Sequence, residues 1–520
     1  MKELVYHRFF LQGTQWFADE IGIVDGEYRA TLGEHRERVF RLTNALGPEL
    51  GIDRADRFAV MALNSHQYLE LYHAAFLGGG VINPLNLRLA GKELAYILED
   101  SGTEVIFVDG FFAPLVAEAI GHMDNPRIRH TVLIGAGDVE GAIAYEDVIA
   151  AGSTELPPEP EEDDPVVLMY TGGTTGLPKG VLLEQRAEML NLVHVSVAVG
   201  LSHEETNLIQ TPMFHAASVS ALLGIPAAGG RLVTLPVFDP GAVLDLIESE
   251  GVTQTTMVPT MIGMCMQHPD YAPGRLASLS TLFYGASPMP PAILEHLLEK
   301  VPSVELTQAY GMTESSAVLT VLPPEDHVLG GSKLTSVGRP ALGVMLSIQD
   351  EEGTILPPGE IGEVCARAGN FMREYWNKPE ATEEVFAGGW YHSGDAGYLD
   401  DKGYLFLVDR VKDMIVTGGE NVYSAEVEGA IGTHDAVAQV AVIGIPHDIW
   451  GEQVHAIVVL NEGVTVTEEE LVAHARESIA GYKLPKSVEF RAEPLPLSGA
   501  MKVLKRELRA PYWEGRDRKV

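Results

Sequence analysis

The stretch that most restricts what this chain can become is Val166-Val-Leu-Met-Tyr-Thr-Gly-Gly-Thr-Thr-Gly-Leu-Pro-Lys-Gly-Val181. Its apolar opening, Val166 to Met169, reads as a buried strand. The strand feeds straight into a loop rich in glycine and hydroxyls. Gly172, Gly173 and Gly176 let backbone N–H groups face an anion with no Cβ in the way. Thr171, Thr174 and Thr175 add hydroxyl donors, and Lys179 adds a movable positive charge. This is the chemistry of a polyphosphate grip. It is not a Walker loop, because no Gly-Lys-Ser/Thr follows the glycines and Pro178 precedes the lysine. Taken alone, the loop reads equally well as a surface turn.

A chain of 520 residues exceeds one hydrophobic core, so at least two domains are expected. With 46% hydrophobic and 21% charged residues it reads as soluble and globular. The formal net charge of −37 argues against nucleic-acid binding and against an anionic membrane surface. Any site for anionic substrates must therefore build its own local positive field. Cys265 and Cys365 are the two cysteines, far apart in the chain. They form no disulfide framework and no metal spacing, which fits a reducing compartment. Charges interrupt the apolar residues at the N-terminus, so no signal peptide is expected there. No uncharged apolar run is long enough to span a bilayer, and the expected location is the cytoplasm. Oligomeric state is not readable; a homodimer is compatible with the sequence.

Strand and helix patterns alternate early. Arg57–Ala62, Glu104–Val108 and Thr131–Ile134 read as strands. His66–Leu77, capped by Ser65 and ended by Gly78-Gly-Gly80, reads as a helix, as does Lys92–Asp100. Alternation of this kind predicts a largely parallel sheet covered by helices. Gly135-Ala-Gly-Asp-Val-Glu-Gly141 imitates a dinucleotide fingerprint, but its spacing is off and no long apolar helix follows, so a glycine turn is expected. Ser153–Pro165 is Pro-rich and acidic and reads as an exposed connector. From Val337 to Leu407 short apolar runs alternate with turn residues, predicting a small antiparallel β-subdomain. Shorter α/β pieces follow Lys412, including helices over Ala425–Ile431 and Glu468–Ile479 and strands over Val440–Ile443 and Val454–Leu460.

The run Tyr170–Gly180 resembles the phosphate-binding signature of the adenylate-forming superfamily, and further motifs match its acyl-CoA synthetases in order over nearly the whole chain. The resemblance implies a role for each match. His215, in Thr211-Pro-Met-Phe-His215, stands beside the acyl carboxylate. Gly285 and Ala286, in Tyr284-Gly-Ala-Ser287, line the adenine and the acyl tunnel. In Gln308-Ala309-Tyr310-Gly311-Met312-Thr313-Glu314, Tyr310 stacks on adenine and Thr313 contacts the α-phosphate. Glu314 with Thr171 holds Mg²⁺, a hard cation that takes oxygen ligands. Asp395 accepts from the ribose hydroxyls. Arg410 touches ribose or phosphate, and Lys412 is the hinge. Gly418 and Gly419 admit the pantetheine thiol, and Asn421 is a nucleotide contact. Lys502 bridges carboxylate and α-phosphate, an electrostatic role for a fixed ammonium; Lys505 is the alternative lysine. Two departures stand out. Gly172 occupies a position where relatives commonly carry serine, and Met501 one where glycine usually precedes the lysine.

The expected fold is α/β. A large N-terminal domain of doubly wound, mostly parallel sheets with a small antiparallel β-subdomain covers residues 1–410. A small mobile α+β domain covers 411–520. The expected activity is that of an acid–CoA ligase using ATP, Mg²⁺ and coenzyme A. It would convert a carboxylic acid, a medium- or long-chain fatty acid, to its thioester through acyl-AMP. Small residues at Ala216, Ala217, Ser218, Gly285 and Ala286 leave room for an extended chain. An aryl or short acid, a carrier-protein acceptor, or a non-catalytic nucleotide binder are the alternatives.

Overall fold

The computed structural model describes residues 4–137, 139–171, 177–410, 413–417, 420–447, 450–498 and 503–514, with backbone alone at 409–410 and 420–421. Among the described residues, four sheets organise the fold. A nine-stranded sheet runs in the spatial order Arg339–Pro340, Thr320–Leu322, Glu305–Tyr310, Thr281–Gly285, Gln254–Met257, Thr206–Ile209, Arg231–Thr234, Ile21–Asp25, Tyr28–Thr31. Its central pairings are parallel and its edge pairings antiparallel. An eight-stranded sheet has the order Glu374–Tyr375, Lys179–Glu184, Pro165–Thr171, Val81–Pro84, Arg57–Met61, Val105–Asp109, His130–Ile134, Ile143–Ala144. It is parallel except for the first three strands.

Strands buried on both faces explain their unbroken apolar runs: Phe58 to Met61 and Val105 to Val108 are all buried. The helices between them carry ordinary end signals. Thr31 and Glu34 form a capping box on Leu32–Leu50, which Gly51 closes in the left-handed conformation at φ 67°. Ser65 caps the helix His66–Ala74 through Tyr68 N–H. That helix stops short of the expected Leu77, giving way to a wider turn over Ala75–Gly79 in which Gly78 has φ 93°. The triple glycine unwinds the last turn as well as ending it.

Met345–Gln349, Gly362–Arg367, Tyr391–Leu399 and Leu405–Arg410 form the expected four-stranded antiparallel sheet. The next strand, Ile415–Thr417, belongs to a separate five-stranded sheet with Glu420–Val422, Gly451–Leu460, Val437–His447 and Ser487–Arg491. Helices Ser424–Gly432 and Glu468–Arg476 contribute to that sheet's core through Val427, Ile431 and Leu471. Gly135 and Gly137 sit at positive φ in a bend, and a two-residue strand separates them from the short helix Tyr145–Ala151, so the glycine-rich decoy is a turn.

The acidic connector is largely exposed, as expected, and is pinned at two prolines. Pro157 and Pro160 are buried. His7 bonds Pro157 O at 3.1 Å, Leu4 N–H bonds Glu162 at 3.0 Å, and Arg8 pairs with Glu159. The N-terminal helix Tyr6–Trp16 straps it down, a long-range contact with no local signature.

Candidate active site

The strand Pro165–Thr171 turns into the phosphate-loop candidate, and the chain returns antiparallel along Lys179–Glu184, with Thr171 opposite Lys179. Gly172, Gly173, Thr174, Thr175 and Gly176 lie outside the described residues. The root of this hairpin is held on its far side by Asp100. Its carboxylate accepts from Tyr170 O–H at 2.7 Å, and its carbonyl accepts from Trp376 Nε1–H at 2.9 Å.

A third strand, Glu374–Tyr375, pairs with the returning leg in the register Tyr375 to Val181. That register sets the Tyr375 ring under Lys179, whose ammonium lies 4.7 Å from the ring centroid. The same tyrosine donates its hydroxyl to Glu314 Oε1 at 2.8 Å. One side chain therefore joins Lys179 of the first motif to Glu314 of the second, although the motifs lie on different sheets. Burial first, and the Glu314 carboxylate second, hold the Tyr375 phenol well above its usual range. Tyr391 is held high by burial and the same carboxylate.

Glu314 sits in a tightly coiled segment. Strand Glu305–Tyr310 lies in register with Thr281–Gly285, pairing Tyr284 with Gln308 and Gly285 with Ala309. A Cβ on Gly285 would stand 2.3 Å from Ala309 O, and one on Gly311 2.1 Å from Ala317 O. Ala286 has φ 68°, Ser316 φ 52° and Ala317 φ 101°, left-handed values that L-residues seldom adopt. Thr313–Ser315 makes a single helical turn, tied by Met312 N–H to Ser315 Oγ at 3.1 Å. Met372 N–H then bonds Glu314 O at 2.7 Å. The two strand ends and their glycines thus bring 285–286 and 308–314 side by side. Gln308 is buried and accepts from Tyr284 O–H at 3.3 Å.

Tyr310 points its hydroxyl at Asp395 Oδ2, 2.7 Å away. The carboxylate belongs to the antiparallel sheet, opposite Arg410 in register. Behind it, Glu363 Oε1 accepts from Gly394 N–H at 2.9 Å and Oε2 lies 2.8 Å from His392 Nδ1. Glu363, Cys365 and His392 also bring three potential metal donors together, across two strands whose spacing in sequence conceals it. Both Glu363 oxygens are already engaged, and burial pushes the Cys365 thiol up to about 12, so the group reads as a brace for the 392–395 turn.

His215 occupies the position before the helix Ala216–Ala228 and packs on Phe214 at 4.5 Å between ring centroids. The preceding segment is fixed by Asn64, whose amide bonds Thr211 O at 2.9 Å and accepts from Met213 N–H at 2.8 Å. Lys412, Gly418, Gly419 and Lys502 lie outside the described residues. For Arg410 and Asn421 the backbone is described, in strands Leu405–Arg410 and Glu420–Val422. Lys505, the alternative lysine, is committed elsewhere: its ammonium is 2.7 Å from Glu428 and 2.6 Å from Ser424 Oγ.

Sequence reading missed Tyr375, Glu363 and Asn64. Tyr375-Trp376 offered an aromatic pair as a faint signal. Asn64 and Glu363 offered none, since each acts through backbone groups distant in sequence.

The family model described as AMP-binding enzyme matches residues 11–376, and that of the AMP-binding enzyme C-terminal domain matches 426–502. A feruloyl-CoA synthase of Amycolatopsis is 38% identical over 483 residues, covering 93% of this chain and 94% of that one. A long-chain-fatty-acid–CoA ligase of Mycobacterium tuberculosis, FadD13, is 36% identical over 463 residues, 89% of each chain. Among solved structures, the anthranilate CoA ligase AuaEII bound to anthranoyl-AMP superposes with a TM-score of 0.89 at 25% identity, covering 98% of this chain and 97% of that one. Among the described residues, no helix is long and apolar enough to cross a membrane.

Proposed function

The chain belongs to the AMP-binding enzyme family, within the adenylate-forming superfamily, and on that premise we propose that it is an ATP-dependent acid–CoA ligase. The observation that carries this reading is Tyr375, which touches both Lys179 and Glu314 and so brings the two motifs together. The Tyr310–Asp395 pair joins the second motif to the antiparallel sheet.

In the first half-reaction a carboxylate oxygen of the acid attacks the α-phosphorus of ATP. The bond to the bridging oxygen breaks, and pyrophosphate leaves with that electron pair. Lys179 and the 171–176 loop oppose the charge on the outer phosphates, and Lys502 opposes the charge gathering between carboxylate and α-phosphate. Tyr310 and Asp395 hold adenine and ribose, with Arg410 beside them, and Thr313 contacts the α-phosphate. Thr171 and Glu314 are oxygen donors with no thiolate or imidazole between them, a set that fits Mg²⁺; once bound, the ion would neutralise phosphate charge. In the second half-reaction the CoA sulfur attacks the acyl carbonyl and AMP leaves. We divide the chain at 410/411 and assign Lys412 as the hinge about which the C-terminal domain turns between steps, with Gly418 and Gly419 on the thiol path.

For the acid we favour a medium- or long-chain fatty acid, with small residues around His215 and Gly285 leaving room for it. An aryl acid is the second reading, supported by the similarity to feruloyl-CoA and anthranilate–CoA ligases. A panel of acids, scored by AMP release with CoA present, separates the two. Preference for cinnamate- or benzoate-type acids would displace the fatty-acid assignment. Lys502→Ala should abolish acid-dependent exchange of labelled pyrophosphate into ATP, yet spare thioester formation from supplied acyl-AMP. Equal loss of both half-reactions would contradict the role given to Lys502.

A further inference from the structure

Described residues on either side of Lys502 in the chain pair with each other. Leu497 pairs antiparallel with Val503, and Leu504 N–H bonds Pro496 O at 2.8 Å. This pairing is rooted in the C-terminal part. Leu495 is buried with Ala441, Ile443, Ile457 and Leu508, and its N–H bonds Gln439 Oε1 at 2.8 Å.

From the large N-terminal part, Arg88 reaches across to Leu497 and Ser498. Its Nη1 donates to Leu497 O at 3.1 Å and to Ser498 O at 3.0 Å. Arg88 stands in the loop after strand Val81–Pro84, where its own N–H is held by Asn86 Oδ1 at 3.0 Å. The arginine therefore holds two successive carbonyls that precede Lys502 in the chain. Both acceptors are backbone, so the contact reads the path of the chain. A guanidinium suits this task because it stays charged and its planar fork is preorganised. The contact is solvent-exposed, hence easily exchanged for water, which a contact that must be released demands.

We propose that Arg88 is a positioning residue for the adenylation half-reaction. It holds Leu497 and Ser498, which precede Lys502 in the chain, against the large N-terminal part during that step, and it lets go when the C-terminal domain turns. This rests on the acid–CoA ligase reading above.

The test compares wild type, Arg88→Ala and Arg88→Lys in the full chain. Ferulate and dodecanoate serve as acids in pyrophosphate exchange, and feruloyl-AMP and dodecanoyl-AMP as supplied intermediates for the thiol step. Arg88→Ala should slow acyl-AMP formation by roughly 3- to 10-fold, the loss expected for exposed hydrogen bonds from a charged donor, while thioester formation stays within about twofold. Arg88→Lys should recover little of it. Hydrogen exchange over 495–504, measured without substrates, should rise in Arg88→Ala while the melting temperature stays put. Unchanged exchange at 495–504, or equal slowing of both half-reactions, overturns the proposal. If Lys502→Ala keeps full pyrophosphate exchange, the assignment of Lys502 fails whatever Arg88→Ala does, and the exchange measurement still judges the Arg88 contact.

Discussion

A single phenol bears much of the candidate site's geometry. Tyr375→Phe keeps the ring beneath Lys179 and removes the hydroxyl that bonds Glu314 and meets the Tyr391 phenol. A buried hydrogen bond to a charged group contributes about 1.5–3 kcal/mol. We expect kcat/KM for ATP to fall by roughly tenfold or more, with little change in melting temperature. Steady-state kinetics at varied ATP checks this, and an unaltered value would remove Tyr375 from the site. Glu188 makes the opposite case, a buried carboxyl with no visible task. It is 1% exposed on helix Gln185–Val199, and neither carboxylate oxygen has a hydrogen-bond partner among the described residues. The nearby Ser316 hydroxyl donates to Asn370 O instead. Burial pushes the Glu188 carboxyl from 4.5 up to about 8. Between those values the native state holds a proton that the unfolded chain has lost. Stability therefore falls as pH rises through that window, and the loss is complete above about 8. Glu188→Gln should abolish that slope and gain up to a few kcal/mol at alkaline pH, read by urea unfolding across the window. Parallel pH profiles for the two proteins would refute it.

At the level of elements, the site exists because two parallel strands end together. Gly285 lies opposite Ala309, and the carbonyl of Ala309 occupies the space a side chain would need. Gly285→Ala forces backbone against backbone, which no rotamer change relieves. A loss of about 1–3 kcal/mol is expected from overpacking, together with weakened nucleotide binding, because the 285–286 turn must shift. Urea midpoints and ATP titration test the pair of effects; a variant with native stability would mean that the strands part freely. The glycines and left-handed residues cluster where the chain leaves the sheet for the site, as strained backbone commonly does.

The whole molecule carries a net charge of −37 and must still admit a polyanion. Under the proposed function, Lys179 and the other assigned cations would supply a short-range positive field inside a long-range negative one. Raising salt from roughly 10 to 150 mM shortens the screening length from about 30 to about 8 Å. That suppresses the distant repulsion more than close contacts, so kcat/KM for ATP should rise severalfold over this range. A steady fall would show that the local field dominates the approach. The Arg88 contact belongs to this scale too, since it joins the two ends of the chain across hundreds of residues.

Local chemistry was enough for much of this. Parallel strands buried on both faces, caps such as Ser65, and the change of texture after Val337 are written in short windows, because propensity and periodicity act over a few residues. The phosphate-loop and Tyr310–Glu314 motifs were equally visible, since glycine and hydroxyl content is itself the chemistry. Tyr375, Glu363, Asn64 and Arg88 were not, nor were the contacts that pin the Ser153–Pro165 connector to the N-terminal helix. Each of these acts on a partner brought near only by sheet register or by the seating of one domain on another. Register and docking follow from the packing of whole faces, a sum over many distant contacts that no short stretch of sequence contains.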